Sequence, residues 1–114
     1  MVKRNGSLKP IIRKFIAVLK SRGIRVTRLI LYGSYARGTA KSYSDIDLAV
    51  ISPDFKGKGI LKRQELLGET VFEADAPIEA LGYTPEEYRN HSPFSFLAEI
   101  LSTGKVVYKN EVIY

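Results

Sequence analysis

The sequence lacks cysteine altogether and carries a single histidine, His91. Without cysteine there are no disulfides and no thiolate metal sites, so any bound metal must be held by oxygen ligands or by His91. Oxygen ligands suit hard cations such as Mg²⁺. His91 precedes Ser92 and Pro93 in a predicted connection between helices, where a packing histidine is more common than a catalytic one. We therefore leave His91 out of the candidate site.

Long apolar runs are also missing. No stretch approaches the ~20 residues that a membrane-spanning helix needs, and residues 2–6 are not followed by the apolar core of a signal peptide. The chain has 114 residues, of which 45% are hydrophobic, and this size suits one domain with a real core. We expect a single soluble, cytoplasmic domain over residues 1–114.

Acidic residues are outnumbered by basic ones, 12 to 18, which gives a formal net charge of +6. A positive surplus favours polyanionic partners such as nucleoside triphosphates, RNA or an acidic protein surface. Small lysine-rich domains are, however, often basic for solubility or thermostability alone, and no aromatic-basic RNA-recognition signature is present. RNA binding is therefore the weakest of the functions considered.

Hydrophobic periodicity predicts an α/β (α+β) chain in which helices and short strands alternate. The predicted helices have apolar residues at helical spacing or a strong start or stop signal. They are a helix capped by Ser7 and ended by Gly23, residues 35–37 ended by Gly38, residues 60–67 ended by Gly68, a segment starting at 84, and residues 93–102. The predicted strands are rich in branched or aromatic residues, and they cover residues 26–32, 45–51, a stretch between 71 and 83 broken near Pro77, and 105–108.

Two carboxylates, Asp45 and Asp47, open the second predicted strand. Because side chains alternate faces along a strand, both point to one side while Ile46, Leu48 and Val50 enter the core on the other. Like charges at this spacing repel unless a divalent cation neutralises them. Oxygen ligands suit Mg²⁺, and we expect Mn²⁺ to substitute. The pair therefore predicts a magnesium site.

A Gly-Ser turn, Gly33-Ser34, lies where the first predicted strand becomes a helix. Without a side chain, Gly33 lets phosphate oxygens approach the backbone, and the Ser34 hydroxyl adds a hydrogen-bond donor. Arg37 and Lys41 follow closely, and either could neutralise phosphate charge or lie in solvent. Each feature alone is common. A triphosphate site is indicated by their combination, in which a strand leads into this turn and an acid pair follows after ten intervening residues.

The aromatic residues and two loop lysines have plainer interpretations. Lys56 and Lys58 are interpreted as part of a solvated loop rather than a lid over a nucleotide. Aromatic residues of a small domain lie in the core more often than they stack on a base, and we assign to the core Tyr83, Tyr88, Phe94, Phe96 and Tyr108.

The motifs GSYARG at residues 33–38 and SDIDL at residues 44–48 resemble the signature of the minimal nucleotidyltransferases of the DNA polymerase beta superfamily. Residues 77–87 and 100–108 also resemble small stand-alone members, so the resemblance covers about residues 26–108. It implies a small mixed β-sheet with helices packed on one side, and two aspartates that bind magnesium beside a third carboxylate. It further implies transfer of a nucleoside monophosphate, expected to be AMP from ATP, to a hydroxyl of a macromolecular acceptor.

The resemblance also implies a kind of partner. Family members often pair with all-helical HEPN proteins, and some act as antitoxins by adenylylating a toxin tyrosine. This chain lacks the length for a second substrate-binding domain, so we expect the acceptor to be a separate macromolecule. The alternative function is a catalytically weak, antitoxin-like module that neutralises its partner by contact alone. The intact Asp45 and Asp47 argue against this alternative.

The third carboxylate is assigned to Glu79, which fits the family position best although relatives usually have aspartate there. On an unbroken strand, Glu73 and Asp75 would lie on the same face as Glu79, but Pro77 interrupts a continuous strand register. We expect Glu79 to act as a metal ligand or as the base that takes the acceptor's proton. Glu73 and Asp75 stay open as alternatives.

Overall fold

The structure is a computed structural model that describes residues 5–114, with side chains from Leu8 onward. Residues 1–4 of the predicted domain lie outside this range. The helices are α1 (Asn5–Ser21), α2 (Ser34–Arg37), α3 (Ile60–Ala74), α4 (Pro85–Arg89) and α5 (Phe96–Thr103), with a 3₁₀ turn at Pro53–Phe55. The strands are β1 (Arg28–Tyr32), β2 (Ile46–Ile51), β3 (Ile78–Tyr83), β4 (Lys105–Lys109) and β5 (Val112–Ile113). The predicted alternation of helices and strands is confirmed.

The strands form one mixed sheet in the order β3-β2-β1-β4-β5. β2 and β3 run parallel and are joined by α3, whereas the other neighbours are antiparallel. Tyr32 at the end of β1 lies opposite Asp47 in β2, and Asp47 lies opposite Glu79 in β3. Because register partners share a face of the sheet, these three residues form a row across three strands.

The two faces of the sheet are covered unequally. The long helices α1 and α3 pack on one face, over a core that includes Phe15, Leu48 and Leu67. On the opposite face, a smaller hydrophobic cluster forms where Ile100 of α5 packs against the strand residues Ile30, Ala49 and Ile51. The predicted mixed sheet is confirmed, and the predicted packing of helices on one side is confirmed for α1 and α3, while the short helix α5 packs on the other face. No helix within residues 5–114 is long and apolar enough to cross a membrane.

Helix α3 is longer than the sequence predicted. The helix was expected to end at Gly68 but continues to Ala74, because Leu67 and Ala74 are both buried and extend the apolar stripe. Gly68 is exposed, and a Cβ built on it would meet no atom within 4 Å. The helix ends where Asp75 adopts a left-handed conformation with φ 52°. The third strand consequently begins only at Ile78, after Pro77.

The start of α4 matches its prediction, whereas the start of α5 does not. The predicted start of α4 at residue 84 is confirmed, and Thr84 and Glu87 form a reciprocal capping box there. Helix α5 was expected to begin at about Pro93 but begins at Phe96. The Ser95 hydroxyl accepts a hydrogen bond from the Ala98 N–H at 3.1 Å and so provides a better cap.

The two ends of the chain also differ from the prediction. Helix α1 begins at Asn5, so Ser7 lies inside the helix rather than at its cap, and the Ser7 side chain is outside the described part. Beyond the last predicted strand, the structure contains β5, which pairs with β4. Positive φ angles at Asn110 and Glu111 form the turn between these two strands.

Candidate active site

Gly33 connects β1 to α2 in a conformation that only glycine adopts readily, with φ 72° and ψ −152°. A Cβ built on Gly33 would collide with a carboxylate oxygen of Asp47 and lie 3.1 Å from its Cγ. Glycine is therefore required here for a structural reason, the close approach of the turn to Asp47. This structural reason for glycine is additional to the predicted one, which is the approach of phosphate oxygens to the backbone.

Helix α2 holds the Gly-Ser turn against the core. Its buried residues are Tyr35 and Ala36, and Gly38 closes it in a left-handed conformation with φ 76°. The Gly38 N–H donates to the carbonyl oxygen of Ser34. The predicted short helix and its terminator are confirmed. Ser34 is half-buried at the start of this helix and Arg37 is exposed at its end.

The carboxylates of Asp45, Asp47 and Glu79 influence one another. Asp45 directly precedes β2, and Asp47 and Glu79 are register partners. Burial raises the pKa of Asp47, and the negative charges of Glu79 and Asp45 raise it further, while the positive charge of Arg37 acts in the opposite direction. The structure thus brings together three acids and one arginine that the sequence singled out.

The donor set fits Mg²⁺ bound together with a substrate. Within residues 5–114, no three acidic or histidine side chains converge tightly enough to hold an ion by themselves. Mg²⁺ is usually held by one or two carboxylates together with waters and substrate phosphate oxygens, not by a closed protein cage. Asp45 and Asp47, with Glu79 alongside, provide this open arrangement.

The two alternatives for the third carboxylate lie away from the sheet. Glu73 belongs to α3, where its carboxylate accepts a hydrogen bond from Arg22 Nε at 2.9 Å. Asp75 is the C-terminal cap of the same helix. Of the three candidates, only Glu79 is a register partner of Asp47. Its position is the predicted one, and its chemical role stays a prediction.

Lys41 and His91 stand apart from the acids. The Lys41 side chain is exposed and makes no ion pair within the part of the chain whose side chains are described. His91 Nδ1 lies 2.9 Å from the carbonyl oxygen of Tyr88, as expected for a packing histidine. Arg37 also makes no ion pair among the described residues, but its positive charge lowers the pKa of Asp47.

Tyr32 is a site residue that no sequence motif indicated. It lies opposite Asp47 and is half-buried, and its ring meets the Phe96 ring edge-on at 6.1 Å between centroids. Burial raises the pKa of the Tyr32 hydroxyl, and the charges of Asp47 and Glu79 raise it further. The raised pKa means that the Tyr32 hydroxyl stays protonated. The only indication in the sequence is that Tyr32 lies two residues after Ile30 and therefore on the same face of β1.

The geometry agrees with the comparisons to known proteins. Residues 12–101 match the family model of the nucleotidyltransferase domain. The chain belongs to this family. It is a nucleotidyltransferase enzyme, as the resemblance of its motifs implied.

Two curated proteins of Methanocaldococcus jannaschii, both assigned as protein adenylyltransferases, are similar to this nucleotidyltransferase. One is 29% identical over 108 residues, which cover 91% of this chain and 74% of the relative. The other is 31% identical over 99 residues, which cover 85% of this chain and 94% of the relative. These similarities extend over most of the domain.

Three solved structures share the fold. A chain of a toxin-antitoxin complex with AMP-PNP superposes with a TM-score of 0.56 at 22% identity, over 87% of this chain and 73% of its own length. A Sulfolobus solfataricus protein assigned as a nucleotidyltransferase superposes with a TM-score of 0.59 at 16% sequence identity, and the match covers 93% of each chain. A third chain comes from the complex of the tri-AMPylated Shewanella oneidensis HEPN toxin with MNT antitoxin. It superposes with a TM-score of 0.52 at 20% sequence identity, over 90% of this chain and 73% of its own length. The expected polymerase-beta-like fold is confirmed.

Proposed function

We propose that this nucleotidyltransferase moves AMP from ATP to a hydroxyl group of a protein, with Mg²⁺ as cofactor and release of pyrophosphate. The proposal rests mainly on the row of Tyr32, Asp47 and Glu79, with Asp45 one position before β2 and the Gly33 turn against Asp47. The similarity to proteins assigned as protein adenylyltransferases supports AMP as the transferred group and a protein as the acceptor.

The triphosphate lies beside the turn that follows β1. Gly33 leaves room for phosphate oxygens, the Ser34 hydroxyl donates a hydrogen bond, and Arg37 and Lys41 supply positive charge. Asp45 and Asp47 would hold Mg²⁺, which would neutralise charge on the phosphate oxygens and so lower the barrier to attack at phosphorus. Because the pKa of Asp47 is raised and a ligand must be deprotonated, metal affinity should rise with pH.

In the transfer step, the acceptor oxygen bonds to the α-phosphorus while the bond from this phosphorus to the oxygen bridging to the β-phosphate breaks. Pyrophosphate leaves with that bridging oxygen. Glu79, on the β3 side of Asp47, takes the acceptor proton and can also serve as a metal ligand. Tyr32 stays protonated and donates a hydrogen bond within the acid row.

A HEPN protein is the acceptor that we propose for this chain. The structural neighbours include complexes of toxin with antitoxin, one of which contains a tri-AMPylated HEPN toxin. The net charge of +6 favours association with an acidic protein surface. If the chain instead neutralises its partner by contact alone, binding would not depend on ATP or on the acids.

The reaction type is tested with two preparations of ATP, one labelled at the α-phosphorus and one at the γ-phosphorus. Each is incubated with the chain, proteins that co-purify with it and Mg²⁺, Mn²⁺ or EDTA. We expect protein-bound label from the α position alone, with Mg²⁺ or Mn²⁺ and not with EDTA. Label from the γ position would mean phosphoryl transfer, and absence of label from both would contradict the proposal.

A further inference from the structure

β3 is an edge strand, and part of its backbone faces away from the sheet. At its two ends, the carbonyl oxygens of Pro77 and Tyr83 accept hydrogen bonds from N–H groups of the β2 segment at 2.8 and 2.9 Å. In a parallel ladder the backbone groups of alternate residues point to opposite sides. The N–H and C=O groups of Ile78, Ala80 and Gly82 therefore point outward.

Two of these outward groups already have protein partners. The Ile78 N–H donates to the Ala76 carbonyl oxygen at 2.8 Å, and Arg63 Nη1 donates to the Gly82 carbonyl oxygen at 3.1 Å. Within residues 5–114, the structure gives no protein partner for the Ala80 N–H and C=O, the Ile78 C=O or the Gly82 N–H. Unpaired groups of this kind match the main chain of another extended segment.

Two adjoining cavities run along this edge. One of about 230 Å³ lies beside Glu79 and Ala80, and one of about 520 Å³ lies beside Tyr83 and the connection between α4 and α5. Gln64 and Leu81 line both cavities, which therefore lie next to each other along β3 and together form a groove. We call it the β3 groove. One end of it is at the proposed catalytic carboxylate.

The wider part of the β3 groove is bordered by exposed apolar side chains. Ile60 is 79% exposed and Phe96 is 53% exposed, and both line the larger cavity. The Phe96 ring also contacts Tyr32 in the acid row. Exposed apolar groups around a concave site mark places where a partner is bound.

The position of the groove suits the acceptor rather than the triphosphate. The Gly33 turn follows β1, and the groove lies beyond β3, with β2 between these two strands. Phosphoryl-group chemistry needs the attacking and leaving oxygens roughly in line on opposite sides of phosphorus. With the triphosphate at the Gly33 side, the attacking hydroxyl must arrive from the β3 side.

We propose that the β3 groove binds an extended segment of the acceptor polypeptide as an added antiparallel strand. This inference rests on the proposed function, since it assumes a protein acceptor. One residue of the segment pairs with both outward groups of Ala80, which places its two neighbours opposite Glu79 and Leu81. Opposite residues on one face of a sheet have Cβ atoms about 5 Å apart. A serine, threonine or tyrosine opposite Glu79 thus presents its hydroxyl to the carboxylate.

This register fixes a sequence pattern in the acceptor. Side chains opposite Glu79 and Leu81 are two positions apart, and antiparallel pairing puts the one opposite Leu81 nearer the N-terminus of the segment. An apolar side chain there enters the wider part of the groove, near Ile60 and Phe96. The preferred acceptor carries an apolar residue two positions before the hydroxyl residue.

The pattern is tested by fluorescence anisotropy without ATP, using labelled nine-residue peptides with a central tyrosine in a glycine-serine-threonine background. Each peptide carries one leucine, placed one or two positions before or after the tyrosine. We expect the peptide with leucine two positions before tyrosine to bind about tenfold more tightly than the peptide with leucine one position before. Equal affinity across the set, or no binding by any peptide, would overturn the proposal.

Backbone pairing is tested on the peptide, which leaves the protein unchanged. N-methylation of the residue between leucine and tyrosine removes the N–H that pairs with Ala80, and we expect about tenfold weaker binding. N-methylation of the tyrosine itself, whose N–H points away from β3, should have little effect. Hydrogen exchange at the amides of Ala80 and Gly82 should slow when the peptide binds. Equal effects of the two methylations, or unchanged exchange, would contradict an added strand.

Two neighbouring residues of α3 provide a matched pair of variants. Ile60 and Leu61 are 79% and 87% exposed, but only Ile60 lines the groove. Ile60→Ser should abolish the preference for leucine two positions before tyrosine, whereas Leu61→Ser should keep it. Competition between AMP-PNP and the peptide would assign the groove to the nucleotide instead. Self-association lost in Ile60→Ser would assign it to a second copy of the chain.

The peptide experiments separate this inference from the proposed function. Peptide binding with the expected spacing but no AMP transfer would count against the transferase proposal alone. Transfer of AMP to peptides regardless of leucine position or N-methylation would keep the transferase proposal and overturn the β3 groove as the acceptor site.

Discussion

Glu79 is the register partner of Asp47 in the parallel β2-β3 pair, and both lie on the face of the sheet that α1 and α3 leave free. Burial and the charges of Glu79 and Asp45 raise the pKa of Asp47. The fold therefore holds like charges together at a cost to its own stability. Such a cost at a cluster of acids is typical of a functional site.

Replacing Asp47 with asparagine should keep or raise the free energy of unfolding of the metal-free protein near neutral pH. A raised pKa means that the folded chain binds this proton more tightly than the unfolded chain, whose aspartates titrate at about pH 3.9. Ionisation of Asp47 therefore destabilises the fold as pH rises. The excess free energy of unfolding of Asp47→Asn over the wild type should grow above about pH 4 and level off above the pKa of Asp47 in the folded chain. Denaturant unfolding in EDTA measures this. A variant less stable than the wild type throughout would make Asp47 a structural residue.

Replacing Glu79 with glutamine should keep nucleotide binding and lower the transfer rate by ~100-fold or more, because the base for the acceptor proton is lost. Asp75→Asn is the matched control. Asp75 caps α3 with φ 52°, and asparagine tolerates this conformation equally well. Steady-state transfer and calorimetric AMP-PNP binding distinguish the two variants. Equal rates in Glu79→Gln and the wild type would remove Glu79 from the chemistry.

Replacing Gly33 with alanine should destabilise the fold as well as weaken ATP binding. The added Cβ meets the Asp47 carboxylate in a backbone conformation unfavourable to alanine, a strain on the order of 1–3 kcal/mol. Ser34→Ala removes one neutral hydrogen bond and should weaken ATP binding by about 1 kcal/mol without changing stability. Thermal unfolding and calorimetric titration with AMP-PNP test both variants. Wild-type stability in Gly33→Ala would refute the predicted collision.

The Arg63-Glu87 ion pair, which lines the β3 groove, should give the fold a pH dependence of the opposite sign. Arg63 donates to both Glu87 carboxylate oxygens, at 2.7 and 3.1 Å, and this hydrogen bonding lowers the pKa of Glu87. The stabilisation is therefore present above the unfolded value of about 4.3 and is lost as pH falls through the folded pKa.

We expect Glu87→Gln to cost about 1 kcal/mol at pH 7, a modest value because Glu87 is partly exposed. Glutamine retains the capping hydrogen bond at the start of α4. Denaturant unfolding should show this difference shrink as pH falls below the unfolded value of about 4.3 and vanish below the folded pKa. Glu65→Gln, which removes an exposed i,i+3 pair with Lys62, should behave like the wild type. A difference for Glu87→Gln that persists at acid pH would contradict the ion-pair explanation.

Local chemical signals predicted most of the candidate site. The Gly33-Ser34 turn, the short helix ended by Gly38 and the alternation of Asp45 and Asp47 with buried residues all depend on near neighbours in the chain. Glu79 was assigned from the family resemblance rather than from a local signal, and the structure places it on β3 as the register partner of Asp47.

The remaining features depend on contacts between distant segments. Tyr32 joins the acid row only through the register between β1 and β2, which no local pattern specifies. Gly68 was interpreted as a helix end, but packing of α3 on the sheet carries the helix past it. Phe94 and Phe96 were assigned to the core, yet they are 95% and 53% exposed. Composition alone does not separate a core aromatic from one beside a groove.

The central claim is tested most directly by mass spectrometry of the co-purifying acceptor protein after incubation with ATP, Mg²⁺ and the chain. With the wild type, we expect one AMP added to each modified hydroxyl residue. With Asp45→Asn or Asp47→Asn, each of which removes a charged magnesium ligand, the acceptor should stay unmodified although the complex still forms. An acceptor that stays unmodified with the wild type, or that is modified equally by both variants, would contradict the account.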